Sequence, residues 1–194
     1  MQTLRVADGC THCPALVANR RCIVHGYGAA DARVVFVGEA PGYKGGDLTG
    51  VPFTRDRSGV RLQRALMALG LSDETDPRTE RPCLRCFVTN VVRCNPPANR
   101  TPTCAEVANC LPFLWQELSL VQPGIVVPIG NVAAQALFPR LVGQPAPPIT
   151  QAHALVFPSD GMTIVPMHHP ARISNADLAR FVEVMRSLLA LPPG

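Results

Sequence analysis

Lysine is nearly absent from this sequence: 17 of its 18 basic residues are arginine, and Lys44 is the only lysine. Chemistry that needs a nucleophilic amine therefore has almost nothing to work with. Aromatic residues make up 5%, too few for a broad platform that stacks successive bases of a single strand. Charged residues are 16%, against roughly 25% in an average domain. No apolar run approaches the ~18 residues that a membrane span requires, and no apolar segment follows Met1 as in a secretion signal. The chain is expected in the cytoplasm, with no membrane partner, where thiols stay reduced.

What is present fits a globular enzyme-sized unit. With 194 residues and 47% hydrophobic side chains, a sizeable core forms and disorder is excluded. One domain over 1–194 is expected. The net charge of +4 rests on arginine, whose planar fork suits phosphate, so a polyanionic partner is allowed but not demanded. Eight cysteines are many for this length: Cys10, Cys13, Cys22, Cys83, Cys86, Cys94, Cys104 and Cys110. In a reducing compartment cysteine clusters usually mean metal; disulfides are the alternative if the compartment is otherwise.

Four short apolar runs read as buried strands: Val34–Val37, Phe87–Val92, Ile125–Ile129 and Met162–Val165, with His153–Phe157 as a further candidate. Helices fall between them. Ser58 caps a segment that places Leu62, Ala65, Leu66 and Leu69 on one face and stops at Gly70. Thr103 and Glu106 have the spacing of a capping box, with a helix running to about Leu118. Asn131–Phe138 and Ser174–Leu189 complete the set. Strand–helix alternation gives an α/β layered fold, in which ligands bind beyond the carboxyl ends of the strands. Those ends are Gly38–Gly46, Asn90–Asn99, Gly130–Asn131 and Pro166–Arg172.

The Gly38-Glu39-Ala40-Pro41-Gly42-Tyr43 turn matches neither Gly-x-x-x-x-Gly-Lys-Ser/Thr nor Gly-x-Gly-x-x-Gly, which disfavours both kinds of nucleotide loop. Other motifs follow in order: Cys10-x-x-Cys13-Pro14 at the start, then Thr49-Gly50-Val51-Pro52-Phe53-Thr54-Arg55-Asp56-Arg57-Ser58-Gly59, Thr89-Asn90-x-x-x-Cys94 and His168-His169-Pro170-Ala171. Together they resemble the uracil-DNA glycosylase superfamily, specifically its iron–sulfur families four and five, from Cys10 to about Ile173. The likeness is mixed: Gly-Glu-Ala-Pro-Gly, Thr-Asn and His-His-Pro-Ala look like family four, Thr49–Gly59 more like family five. The resemblance implies a three-layer α/β/α fold around a mostly parallel four-stranded sheet. A subfamily that links covalently to DNA through a histidine after the second strand is not matched, since Asn95–Thr103 holds no histidine.

The resemblance implies a DNA glycosylase of base-excision repair that hydrolyses the glycosidic bond of uracil and leaves an abasic site, with other deaminated bases left open. Residue chemistry agrees. Such an enzyme flips the base into a pocket and reads its edge. The Asn90 amide matches uracil, its oxygen accepting from N3–H and its NH₂ donating to O4; cytosine reverses that pattern. Left to itself, a strand-end asparagine capping its own turn is the ordinary alternative. Phe53 supplies a stacking face or simply packs. Tyr43 closes the side where thymine carries its methyl, and Ala40 and Gly42 belong to the same pocket.

Cleavage leaves positive charge on the sugar and negative charge on the base, so catalysis is mostly electrostatic. His169 matches the donor near uracil O2. Asp56 (family five) and Glu39 (family four) are the carboxylates; an ion pair with Arg55, Arg57 or Arg61 is the ordinary reading of Asp56. Without an amine beyond Lys44 and the N-terminus, a monofunctional enzyme is expected. Arg172 and Ile173 match the loop that enters the minor groove of uracil-containing DNA. Cys10, Cys13, Cys94 and Cys110 match the four ligands of a 4Fe–4S cluster, which would clamp the N-terminal segment. The other four cysteines read as free thiols. A zinc site on Cys83-x-x-Cys86, a catalytically weak DNA-binding protein of this fold, and a hydrolase of free nucleosides stay as rivals. A monomer acting on the chromosome is expected.

Overall fold

The computed structural model describes residues 2–190, so the outermost ends of the expected 1–194 domain lie outside the described residues. Strands β1 (Gln2–Leu4), β2 (Gly26–Gly28), β3 (Val34–Gly38), β4 (Phe87–Asn90), β5 (Ile125–Pro128), β6 (Phe157–Ser159) and β7 (Met162–Ile164) form one sheet in the order β1-β2-β4-β3-β5-β7-β6. Its centre, β4-β3-β5-β7, is parallel and consists of the four strands that the apolar runs predict. The sheet has seven strands, not four, because antiparallel β1, β2 and β6 extend its edges. Those three are three residues long, and two contain Gly or Pro, so neither alternation nor propensity marks them.

The helices are α1 (Pro14–Asn19), α2 (Gly46–Thr49), α3 (Arg57–Ala68), α4 (Cys104–Val121), α5 (Gly130–Leu141), α6 (Ile149–Ala152) and α7 (Asn175–Ala190). Successive strand residues point to opposite faces, and each face has its own core. Val34, Phe36 and Val127 meet Leu62 and Leu66 of α3 and Phe181 and Met185 of α7. Val35, Val37 and Val126 meet Leu114 of α4 and Leu137 and Phe138 of α5. This is the expected three-layer α/β/α arrangement.

Local side-chain caps set the starts of α3, α4 and α7. The capping box forms in full: Thr103 Oγ1 accepts from Glu106 N at 3.2 Å, and Thr103 N donates to Glu106 Oε2 at 2.8 Å. Arg100 grips the same carboxylate through both nitrogens and holds its pKa down at about 2. Helix α3 corrects the reading of its start. Its cap is Asp56, whose Oδ1 accepts from Gly59 N at 2.8 Å, and Ser58 lies within the first turn. The candidate strand His153–Phe157 is also corrected. His153 ends α6, Ala154 takes a left-handed φ of 57°, and pairing begins only at Phe157. Among the described residues no helix is long and apolar enough to cross a membrane.

Candidate active site

The carboxyl ends of the four central strands bring the predicted residues to one edge of the sheet. Gly38 and Asn90 are register partners at the ends of β3 and β4. The backbone turns away there through Val91 N to Gly38 O (2.8 Å) and Val92 N to Glu39 O (2.9 Å). A Cβ on Gly38 would collide with the Phe53 ring and come within 2.5 Å of Asn90 Oδ1, so glycine is what lets ring and amide meet. Asn90 is 3% exposed, yet its amide makes no hydrogen bond among the described residues. The turn is closed by backbone groups alone, so Asn90 does not cap it.

Phe53 sits at φ 53°, uncommon for a bulky residue and held by its surroundings. Gly59 at the start of α3 packs so closely on the Phe53 carbonyl that a Cβ there would lie 2.7 Å from it. Asp56 reaches back across the loop: Cβ atoms on Gly42 or Gly45 would stand 2.9 and 2.5 Å from its Oδ2. Among the described residues no arginine forms an ion pair with Asp56. Arg55 goes to Glu80 at 3.0 Å and Arg61 to Asn175 Oδ1 at 3.0 Å. The second carboxylate, Glu39, lies at the other end of the loop. Burial raises its pKa, while a bond from the Thr101 side chain and the charge of Arg172 pull it down.

His169 follows β7 and stands beside Gly130, whose Cβ would be 4.0 Å from that of His169. Its Nδ1 accepts from Ala171 N at 3.3 Å, so the proton of the neutral ring is on Nε2, free to donate. Burial chiefly lowers its pKa, and Arg172 lowers it further; the Asp56 charge opposes both. Arg172 is exposed, as a DNA contact requires. Ile173 is not available for the groove: it is 3% exposed and packs in the core with Phe181. The loop turns back through Arg172 N and Ile173 N to His169 O, which drives Ile173 inward ahead of α7.

Sequence reading missed the residues that shape the Glu39–Gly46 loop. Asn95 Nδ2 donates to Pro41 O and to Asn99 Oδ1, both at 2.8 Å, and Asn99 Oδ1 accepts from Tyr43 N at 2.8 Å. Asn19 Nδ2 donates to Asn95 Oδ1 at 3.0 Å. The Asn-Pro-Pro-Ala-Asn string, with Ala98 and Asn99 both at positive φ, was the available signal. Tyr43 is 46% exposed with the Arg21 guanidinium 4.4 Å above its ring.

Behind the pocket, Cys10, Cys13, Cys94 and Cys110 line one cavity with Leu16, Val17 and Val92. Arg20 bridges its sides, donating to Cys94 Sγ at 3.2 Å and to Cys10 O at 2.9 Å. Arg93 N donates to Cys110 Sγ at 3.4 Å and Asn109 Nδ2 to Cys13 Sγ at 3.5 Å. Burial pushes the Cys110 thiol up to about 11 even though the Arg93 charge and backbone N–H pull it down. No three His, Cys, Asp or Glu side chains among the described residues converge as one ion needs. The four cysteines instead share the lining of this cavity. Cys22, Cys83, Cys86 and Cys104 are not part of its lining.

The model of the uracil DNA glycosylase superfamily matches residues 25–189 of this chain. The chain belongs to that superfamily. A Type-5 uracil-DNA glycosylase of Pyrobaculum aerophilum is 34% identical, over 93% of this chain and 86% of that protein. A Type-4 uracil-DNA glycosylase of Thermotoga maritima is 40% identical over 64% of this chain and 58% of its own length. The Type-5 enzyme of Thermus thermophilus is 34% identical over 71% and 69%. Similarity to both types agrees with the mixed motifs of this superfamily member.

Proposed function

We propose that this chain is a monofunctional uracil-DNA glycosylase of base-excision repair, acting as a monomer on the chromosome in the cytoplasm. The observation that carries the reading is the Asn90 amide. It is buried at a strand end, unspent on the protein, and set against the Phe53 ring. A flipped uracil stacks on Phe53 and exchanges two hydrogen bonds with that amide, while cytosine would leave buried groups unpaired at about 1–3 kcal/mol each. Ala40, Gly42 and Tyr43 border the base. His169 Nε2–H donates to the departing base at O2, as a neutral donor that gives no proton away before cleavage. Asp56 and Glu39 supply negative charge for the sugar cation and orient water. Arg172, exposed beside this loop, contacts DNA; the buried Ile173 has no such role.

The donor set fits a 4Fe–4S cluster on Cys10, Cys13, Cys94 and Cys110: four cysteines line one largely apolar cavity, and three of their sulfurs already accept N–H bonds. When bound it cross-links the N-terminal segment to the loop after β4 and to α4. None of the steps above uses it.

The test is a duplex carrying one uracil, followed by alkali to cut at abasic sites, in a series with other lesions. Uracil release is expected. DNA binding without release would favour the catalytically weak alternative. Anaerobically purified protein should carry about four iron and four sulfide per chain; stoichiometric zinc without iron would remove the cluster assignment. Cys94→Ala or Cys110→Ala should lose the iron, and Cys22→Ala or Cys83→Ala should keep it.

A further inference from the structure

The loop that carries His169 has its two ends joined by one side chain outside it. His153, at the end of α6, is 5% exposed and lies under the loop, its ring 5.0 Å from that of His168 and 6.2 Å from Phe181. Its Nδ1 accepts from the backbone N–H of His168 at 3.1 Å, where the loop begins. Its Nε2 meets the backbone carbonyl of Asp177 at 2.9 Å, in the first turn of α7, where the loop has ended. An amide N–H can only donate and a carbonyl can only accept, so both bonds exist together in one state alone: the neutral ring with its proton on Nε2. The backbone that carries the ring is anchored too. His153 N donates to Ile149 O at 3.0 Å and Ala154 N to Pro166 O at 2.9 Å, which ties the same corner to the strand end before the loop.

We infer that His153 is a positioning residue for the reaction: it staples the entry of the His168–Ile173 loop to the exit, and so sets where His169 presents Nε2–H. The inference rests on the proposed role of His169. Burial lowers the pKa of His153, in keeping with the neutral ring that the two bonds demand. Among the described residues, the hydrogen bonds inside the loop are the turn at His169 O and the contact from Ala171 N to His169 Nδ1; Met167 is bonded to the end of β5 before it, and Ile173 packs in the core at its close. Its placement relative to the sheet depends on the ends. A cavity-filling role for the ring would need neither bond and neither tautomer, which separates the two readings.

The experiment uses the whole chain and three variants. His153→Asn keeps an acceptor near the Nδ1 position, His153→Gln keeps a donor near Nε2 and loses that acceptor, and His153→Phe fills the space with neither. The expected result is that Gln and Phe raise the exchange rate of the His168 amide about tenfold and lower the single-turnover rate on uracil duplex by about the same factor, as for one lost hydrogen bond. DNA affinity stays within about twofold; Asn keeps the His168 amide protected within about threefold but, without the bond to Asp177 O, lowers the single-turnover rate as Gln does. Equal loss of His168 amide protection in all three variants, an Asn or Phe variant as fast as the parent, or a Gln variant as protected and as fast as the parent, would overturn the inference. A measurement on the unaltered protein stands beside these should a variant fold poorly. Ring ¹⁵N shifts of His153 must report the Nε2–H tautomer, and an Nδ1–H or doubly protonated ring at neutral pH refutes the staple. Amide exchange and tautomer do not depend on the substrate, so a parent that releases no uracil would count against the functional reading while the staple is still decided.

Discussion

The loop after β3 carries a carboxylate at each end, and the two are held in different ways. Asp56 is tied to backbone. Its Oδ1 takes the Gly59 amide and starts α3, and its Oδ2 lies over Gly42 and Gly45. Glu39 starts no element. It is half-buried, reached by the Thr101 side chain and the charge of Arg172. A carboxylate whose direction is set by a helix N-terminus is preorganised, and preorganised charge is what stabilises a developing cation. The motifs of both families are thus present in one loop, with their carboxylates held by different means.

That contrast can be broken most directly at Asp56. Asparagine caps helices about as well as aspartate, so Asp56→Asn removes the charge and keeps the cap. We expect the single-turnover rate to fall by about 10²–10³ with binding little changed, as for loss of one preorganised group. Glu39→Gln should cost less, about tenfold. A nearly unchanged Asp56→Asn beside an inactive Glu39→Gln would reverse the assignment. Next in size is stability: Asp56→Ala loses the cap as well, and should unfold about 0.5–2 kcal/mol more easily than Asp56→Asn. Equal denaturation midpoints for the two would show that the Gly59 bond contributes nothing.

The smallest effect is electrostatic. The Asp56 charge raises the pKa of His169 against burial and Arg172. Removing it should move the His169 titration to still lower pH, whereas Glu39→Gln should leave it in place; NMR titration of the ring reads both. The linkage has a definite sign. His25, His153 and His169 all have folded pKa values below the ordinary 6.5. The unfolded chain therefore takes up protons first, and stability declines as pH falls through 6.5 toward the folded values. Melting temperatures that rise on going from pH 7.5 to 5.5 would contradict that account.

Asn90 offers a check on the pocket that both carboxylates serve. An aspartate there is acceptor-only when ionised, so Asn90→Asp should weaken uracil excision and admit cytosine, whose N4 donates. Unchanged rate and base choice in a lesion series would mean that the base is read elsewhere.

Much of this molecule follows from short stretches of chain. Val34–Val37 and Ile125–Ile129 are apolar throughout because strands covered on both faces have no polar side, so the parallel centre of the sheet was legible. Thr103 and Glu106 are three residues apart, and nothing beyond them is needed to close their box. Gly38, Asn90 and His169 stand directly after such strands, which put them at one edge before any packing was known. What depends on groups far apart in the chain was decided by tertiary structure. Three-residue edge strands form because a neighbour offers free backbone groups, not because Gly-Tyr-Gly favours extension. Ile173 turns into the core because its loop folds back on His169, although its position beside Arg172 marked it for DNA. Asp56, not Ser58, is the cap; the chain reaches it through left-handed angles at Phe53 and Arg55, with Gly59 packed on the Phe53 carbonyl. His153 meets His168 and Asp177 across 15 and 24 residues. Local sequence carries periodicity and capping, whose partners lie within a few residues; hydrogen bonds between distant segments exist only once the sheet and its two cores have brought their ends together.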